Sequence, residues 1–271
     1  MKRSIVSVPV QRAGSQAAGK PGSDQDLLAV EEPLQIRLGD RDLAITMRTP
    51  GNDEELAVGF LFTEGILHSR EAIAAVTHDD NSVTVALVGE ASTDLSAQTR
   101  HFYLTSSCGV CGKASVGALV AAGCTAPPRD RPRISVATIL KLPETLRTTQ
   151  PVFDRTGGLH AAALFDADGN VQLVREDVGR HNAVDKLVGR SVLDGRVPLN
   201  DSVLLVSGRA SFELVQKALM AGIGMLAAVG APSSLAVETA LRFGMTLAGF
   251  LRDGRFNIYS GAERIVDYGS K

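Results

Sequence analysis

The sequence predicts an α/β protein in two unequal parts: a smaller N-terminal α+β domain, and a main domain with a mostly parallel sheet covered by helices. Three observations carry that expectation. After residue 135, strand-like apolar runs alternate with helix-like amphipathic runs, the pattern of a parallel sheet with helices on its faces. Before it, residues 34–38 and 43–49 alternate apolar and polar side chains on either side of Gly39-Asp40-Arg41-Asp42, the pattern of a hairpin. Between them, Pro127, Pro128 and Pro132 interleave with Arg129, Arg131 and Arg133 in a stiff basic connector that cannot be helical throughout.

Taken in order, residues 1–30 form an expected flexible tail. Residues 1–26 are rich in Gly, Ser, Gln and Ala and offer too little apolar surface to offset their ordering entropy. The small α+β domain is expected over residues 31–105. It holds the hairpin, a helix capped by Asn52 or Asp53 and running to about residue 67, and strands at 83–88 and 101–105. Residues 106–134 comprise a cysteine loop and the connector, and residues 135–271 the main domain. There Ser135 caps a helix or pair of short helices reaching Arg147 and interrupted at Pro143. Residues 160–165 and 171–175 flank Asp166-Ala167-Asp168-Gly169-Asn170 as a hairpin. Helices at 180–188, 212–221 and 233–242 then alternate with strands at 203–206, 225–229 and 246–250.

Ser106-Ser107-Cys108-Gly109-Val110-Cys111-Gly112-Lys113 is the most chemical stretch. A glycine after each cysteine leaves the thiols unshielded and the backbone free to adopt positive φ. Lys113 opens a helical-looking run to residue 122, so both sulfurs would lie near a cation and a helix N-terminus, which favour thiolate. Read on its spacing alone, C-x-x-C is also compatible with half a zinc site or an inert buried pair. Cys124, in an Ala/Gly-rich run, reads as a small buried hydrophobe.

Ligands of such sheets bind beyond the carboxyl ends of the strands. Three loops fit: residues 206–211 with Ser207 and Arg209; residues 176–182 with Asp177, Arg180 and His181; and Phe250-Leu251-Arg252-Asp253-Gly254-Arg255. Arginines converging on strand ends suit a pyrophosphate or nucleotide. His160, at the start of its strand, stands near the same rim. A net charge of -2 lacks the basic footprint of a nucleic-acid-coating protein. The N-terminus is too short in apolar residues for a signal peptide, and the longest apolar run, 218–231, falls short of a membrane span. A cytoplasmic protein without nucleic-acid or membrane partners is expected.

Taken together, SCGVCG at 107–112, HAAAL at 160–164, EDVGRHNAVDKLVGR at 176–190, SGRASFELVQKA at 207–218 and TLAGFLRDGRFNIY at 246–259 resemble one family, the formate dehydrogenase accessory sulfurtransferases known as FdhD. The resemblance covers nearly the whole chain after residue 31. It implies a cytidine-deaminase-like main domain and a homodimer. It also implies a sulfur carrier that accepts sulfur from a cysteine desulfurase as a persulfide. The carrier passes it to the molybdenum (or tungsten) bis(molybdopterin guanine dinucleotide) cofactor before the cofactor enters the client, formate dehydrogenase. By resemblance Cys108 is the persulfide carrier, Cys111 a helper, and residues 250–255 the cofactor-binding segment, a site a GDP-like nucleotide could also occupy. Arg209, Arg252 and Arg255 suit the phosphates, and Asp177 could accept hydrogen bonds from guanine.

A zinc nucleoside deaminase would need H-x-E before P-C-x-x-C, and no histidine here has glutamate two positions on, so no metal site is expected. A thioredoxin-like enzyme would place C-x-x-C between a strand and a helix of its own domain. The alternative from another class is a non-catalytic molybdenum-cofactor-binding chaperone in which the cysteines are dispensable.

Overall fold

The fold is that of a computed structural model, which describes residues 4–12, 24–89 and 123–268. The cysteine motif, the strand expected at 101–105 and the helix expected at 113–122 lie outside the described residues. Two sheets share a single apolar core. The smaller has four strands in the order β4-β3-β6-β5: β3 (Glu32–Leu38), β4 (Arg41–Arg48), β5 (Ile73–Asp79) and β6 (Ser82–Leu87). The expected hairpin is β3–β4, paired from Glu32↔Arg48 to Leu38↔Arg41. Helix α1 (Asp53–Thr63) packs between this sheet and the helix Arg180–Leu193 of the main part. Neither expected side chain caps it. Asn52 sits at φ 59 without a side-chain bond to the helix, and the Asp53 carboxylate is held by buried Arg48 at 2.8 and 2.9 Å.

Ahead of β3, residues expected in a loose tail form a ribbon, with β1 (Ile5–Val10) antiparallel to β2 (Asp24–Ala29). Four β-branched residues in β1 supply strand propensity that average composition concealed. The ribbon gains its partner from β2 packing on a short helix, α3 (Pro151–Thr156).

The main sheet has the order β12-β11-β10-β9-β7-β8, comprising β7 (His160–Phe165), β8 (Val171–Asp177), β9 (Val203–Val206), β10 (Met225–Ala228), β11 (Thr246–Arg252) and β12 (Arg255–Ser260). It is mixed rather than mostly parallel. Only β9, β10 and β11 run parallel; β7 is antiparallel to both β9 and β8, and β12 to β11. The reason is local. The connections at 166–170 and 253–254 are hairpin turns, far too short for the crossover that parallel neighbours require.

Both faces of this sheet are apolar, with period two. Ala162, Leu164, Leu204, Val206, Leu226 and Ala228 join the larger core, and Ala161, Ala163, Phe165, Val203, Leu205 and Ala227 join a second layer. The larger core is completed by α1, α4 (Arg180–Leu193), α5 (Phe212–Met220) and α6 (Ser234–Phe243), and it includes Cys124. The second is covered by α2 (Val136–Arg147), capped by Ser135, whose Oγ accepts from Thr138 N–H at 3.0 Å. The expected break at Pro143 does not occur. Buried Ile139, Leu142 and Leu146 anchor the helix to the sheet on both sides of the proline, and tertiary packing outweighs the missing donor.

The joint between the sheets is tight. Gly59 of α1 and Gly189 of α4 let the two backbones touch; a Cβ on Gly59 would lie 1.8 Å from the Asp185 carbonyl oxygen, and one on Gly189 1.8 Å from that of Glu55. The connector is equally fixed. Fully buried Arg264 donates to the carbonyl oxygens of Pro128, Arg131 and Gly244 and to Thr246 Oγ1, and so holds the connector on the edge where the parallel strands begin. Among the described residues no helix is long and apolar enough to cross a membrane.

Candidate functional site

The carboxyl ends of the parallel strands meet the amino end of β7 along one edge of the main sheet, because β7 is antiparallel to β9. A continuous backbone ladder ties the edge together. Ser207 N–H donates to Ala161 O at 3.0 Å, Gly230 N–H to Gly208 O at 2.9 Å, and Phe250 N–H to Gly230 O at 2.9 Å. Ser207 Oγ accepts from Ala161 N–H at 2.9 Å, so its hydroxyl fixes the loop. The loops approach closely because glycine stands at the contact: a Cβ on Gly230 would lie 3.0 Å from Gly208 O and 3.1 Å from Arg209 N.

The edge therefore gathers His160, Arg180, His181, Ser207, Arg209 and Phe250, which come from β7, α4, the β9–α5 loop and β11. Arg180 is the first residue of α4, whose N-cap, Gly179, offers no side-chain bond. His181 Nε2 lies 3.4 Å from Ser211 Oγ and 3.9 Å from the Glu213 carboxylate. Burial, then Lys217 and Arg180, push the His181 imidazole down to about 4. Burial and Arg180 also lower His160, against a weaker pull from Asp177. Both rings are thus neutral at pH 7. Arg209 is exposed at the rim. Phe250, bulky yet at φ 55, carries backbone strain at the strand end, with the Arg252 guanidinium 5.8 Å from its ring centre.

Two predicted residues belong to the scaffold instead. Asp177 is fully buried and engaged on both oxygens. Oδ1 accepts from Gly179 N–H at 2.8 Å and Asn182 Nδ2 at 3.0 Å; Oδ2 accepts from Thr49 N–H at 3.2 Å and pairs with Lys186 Nζ at 2.7 Å. It joins the small sheet to α4 and has no face left for guanine. Leu251 is buried in the layer beneath α2, because alternation along β11 turns it away from the rim. Arg252, Asp253 and the opposing Arg255 are exposed around the hairpin tip. Gly254 and Arg255 line an open cleft of about 500 Å³ with Val136, Leu140, Phe256 and Tyr268, a lining that includes no residue of the 176–182 or 206–211 loops.

Two features escaped sequence reading. Gly230, in the loop after β10, is the rim's fourth strand-end contribution, and Val229-Gly230-Ala231-Pro232 after an apolar run was the available signal. Behind His181, the Lys217 ammonium meets both Asp185 oxygens at 2.8 and 2.9 Å and Thr63 Oγ1 at 3.0 Å, in a buried cluster that no local pattern announces. Cys108 and Cys111 lie outside the described residues. Cys124 is buried, and desolvation pushes its thiol up to about 11, so it remains protonated at neutral pH. Among the described residues no group of three or more His, Cys, Asp or Glu is placed to hold a metal ion.

Comparison with known proteins covers most of the chain. The family model described as FdhD/NarQ matches residues 29–266. Two relatives named sulfur carrier protein FdhD are similar throughout. One, from Mycolicibacterium paratuberculosis, is 51% identical over 94% of this chain and 97% of its own length; the other, from Streptomyces coelicolor, is 52% identical over 92% of each. A third of the same name, from Sulfolobus acidocaldarius, is 44% identical over 91% of this chain and 94% of its own. The fold is similar to the crystal structure of a candidate formate dehydrogenase accessory protein from Desulfotalea psychrophila, with a TM-score of 0.74, 27% identity, and 97% and 98% of the two chains covered.

Proposed function

The chain belongs to the FdhD/NarQ family, and from that premise we propose that it is a sulfur carrier serving formate dehydrogenase, with Cys108 as the persulfide-bearing residue. Its thiolate attacks the terminal sulfur of a persulfide on a cysteine desulfurase and releases the donor's cysteine thiolate. Attack of the Cys111 thiolate on the Cys108 sulfur would then expel hydrosulfide for the metal centre and leave a Cys108–Cys111 disulfide, which a dithiol reductant reopens. The acceptor is the molybdenum (or tungsten) bis(molybdopterin guanine dinucleotide), here the substrate, before it enters the client enzyme. A homodimer in the cytoplasm accompanies this reading.

The observation that carries it is the rim. A guanine dinucleotide presents a pyrophosphate, and this edge collects Arg180, Arg209, open backbone N–H groups at a helix start and a strained aromatic at a strand end. The hairpin tip adds Arg252 and Arg255. Asp177 takes no part in reading guanine. The test is activation of formate dehydrogenase in cells that carry Cys108→Ala as the sole copy. The carrier reading expects loss of nearly all client activity with the variant present at normal level. A client still fully active would replace the carrier with a cofactor-binding chaperone.

A further inference from the structure

Among the described residues, Arg180 Nε is the one buried side-chain nitrogen or oxygen that lacks a hydrogen-bond partner. Buried donors are almost always satisfied, so this exception calls for a partner from outside the described protein groups, and an ion is one such partner. Its surroundings are those of an anion site awaiting charge. His181 follows it on α4, and both histidines of the rim feel its charge. The groups facing His181 are Arg180 on its own helix, Lys217 and Glu213 from α5, and His160 from β7. Those facing His160 are Arg180 and Asp177, the latter at the end of β8. The Asp177 carboxylate is matched by Lys186, and the Lys217 ammonium by Asp185, with Glu64 at 3.8 Å. The Glu213 carboxylate, which is hydrogen-bonded to Ser211 and to its own backbone and feels the Arg180 charge, also stands 3.9 Å from His181 Nε2, where it favours an imidazolium.

We propose that His160, Arg180 and His181 form a seat for one phosphate of a pyrophosphate diester, whose charge pairs with Arg180 and draws a proton from solvent onto His181 as it binds. The inference rests on the guanine-dinucleotide reading above and narrows it to a proton-coupled binding step. No covalent bond changes; one solvent proton moves to one imidazole nitrogen. In the free protein burial, Lys217 and Arg180 hold His181 neutral down to about 4. An anion on Arg180 cancels that cation's influence at short range, where the effective dielectric constant is about 20, and Glu213 then stabilises the charged ring. Binding must therefore tighten as pH falls, by at most about tenfold per pH unit for one proton taken up.

The test is calorimetric titration of the full chain with GDP-mannose, whose two phosphates are both esterified and carry no ionisation between pH 5 and 8. Run at pH 6 in buffers of different ionisation enthalpy, it should show net uptake of roughly 0.3 to 1 proton per ligand, with the dissociation constant at least about twofold lower at pH 5.5 than at pH 7.5. In His181→Gln the uptake should fall to near zero and the pH dependence flatten, whereas Arg180→Gln should weaken binding about tenfold or more at both pH values. Binding by the natural chain without proton uptake overturns this inference and leaves the guanine-nucleotide reading standing. Uptake that persists in His181→Gln overturns the assignment to that residue. Absence of binding at millimolar ligand overturns both the inference and the reading on which it rests.

Discussion

Asp177 and His181 stand four residues apart and do opposite work. The carboxylate of Asp177 is consumed by Lys186, Asn182, Gly179 and Thr49, and its removal would leave a buried ammonium without its ionic partner. Breaking one side of such a pair costs about 3–5 kcal/mol, so Asp177→Ala should lower unfolding stability by that amount in urea titration. A change below about 1 kcal/mol would contradict the joint role. His181 is neutral in the fold and titrates at its ordinary value when unfolded. Between about 6.5 and 4 the unfolded chain binds more protons, so stability is fully present above that window and lost as pH falls through it. The natural chain should be roughly 2 kcal/mol less stable at pH 5 than at pH 7.5 on account of this ring, and His181→Gln should lose correspondingly less over the same interval. An equal loss in both would contradict the assignment. The rim histidine and arginines were legible because they flank apolar strands. The fate of Asp177 was not, because Thr49 lies 128 residues away and no local pattern connects them.

At the scale of elements, α1 and α4 illustrate a contact that side-chain chemistry alone does not reveal. Their backbones meet at Gly59 and Gly189, where an added methyl group would stand 1.8 Å from a carbonyl oxygen of the facing helix. No flexible side chain can yield there, so Gly189→Ala should cost about 3 kcal/mol, read as a lower urea midpoint with an unchanged slope. Unaltered stability would show that the helices do not pack this way. Most helices and strands could be read from periodicity and caps, as Ser135 and the run from β9 to β11 demonstrate. Strand direction was harder. The hairpin at β7–β8 was visible in its turn residues, but β12 follows a two-residue turn inside the segment taken for a binding loop, and it makes the sheet antiparallel at that edge. The β1–β2 ribbon was missed for a related reason, since its partner, α3, lies far along the chain.

Over the whole molecule, chemistry and support fall on opposite edges of the main sheet. The rim gathers at the carboxyl ends of β9, β10 and β11, while Arg264 pins the connector that follows the cysteine segment where those strands begin. The expected division between a small and a main domain underestimates their union. One core runs from Leu34 and Ile36 in the small sheet to Leu226 and Ala228 in the large one, and the largely buried Arg175–Glu55 pair, at 2.5 and 2.8 Å, ties α1 to β8. Family likeness over residues 29–266 was legible in the five motifs, four of which couple polar side chains to strand and helix ends of the described fold, while SCGVCG lies outside the described residues. Sulfur carriage is the central claim, and peptide mass spectrometry after incubation with a cysteine desulfurase and cysteine tests it most directly. One added, reductant-labile sulfur is predicted on the Cys108 peptide, absent in Cys108→Ala, with buried Cys124 unmodified. No added sulfur on Cys108 in the presence of a competent donor would contradict it.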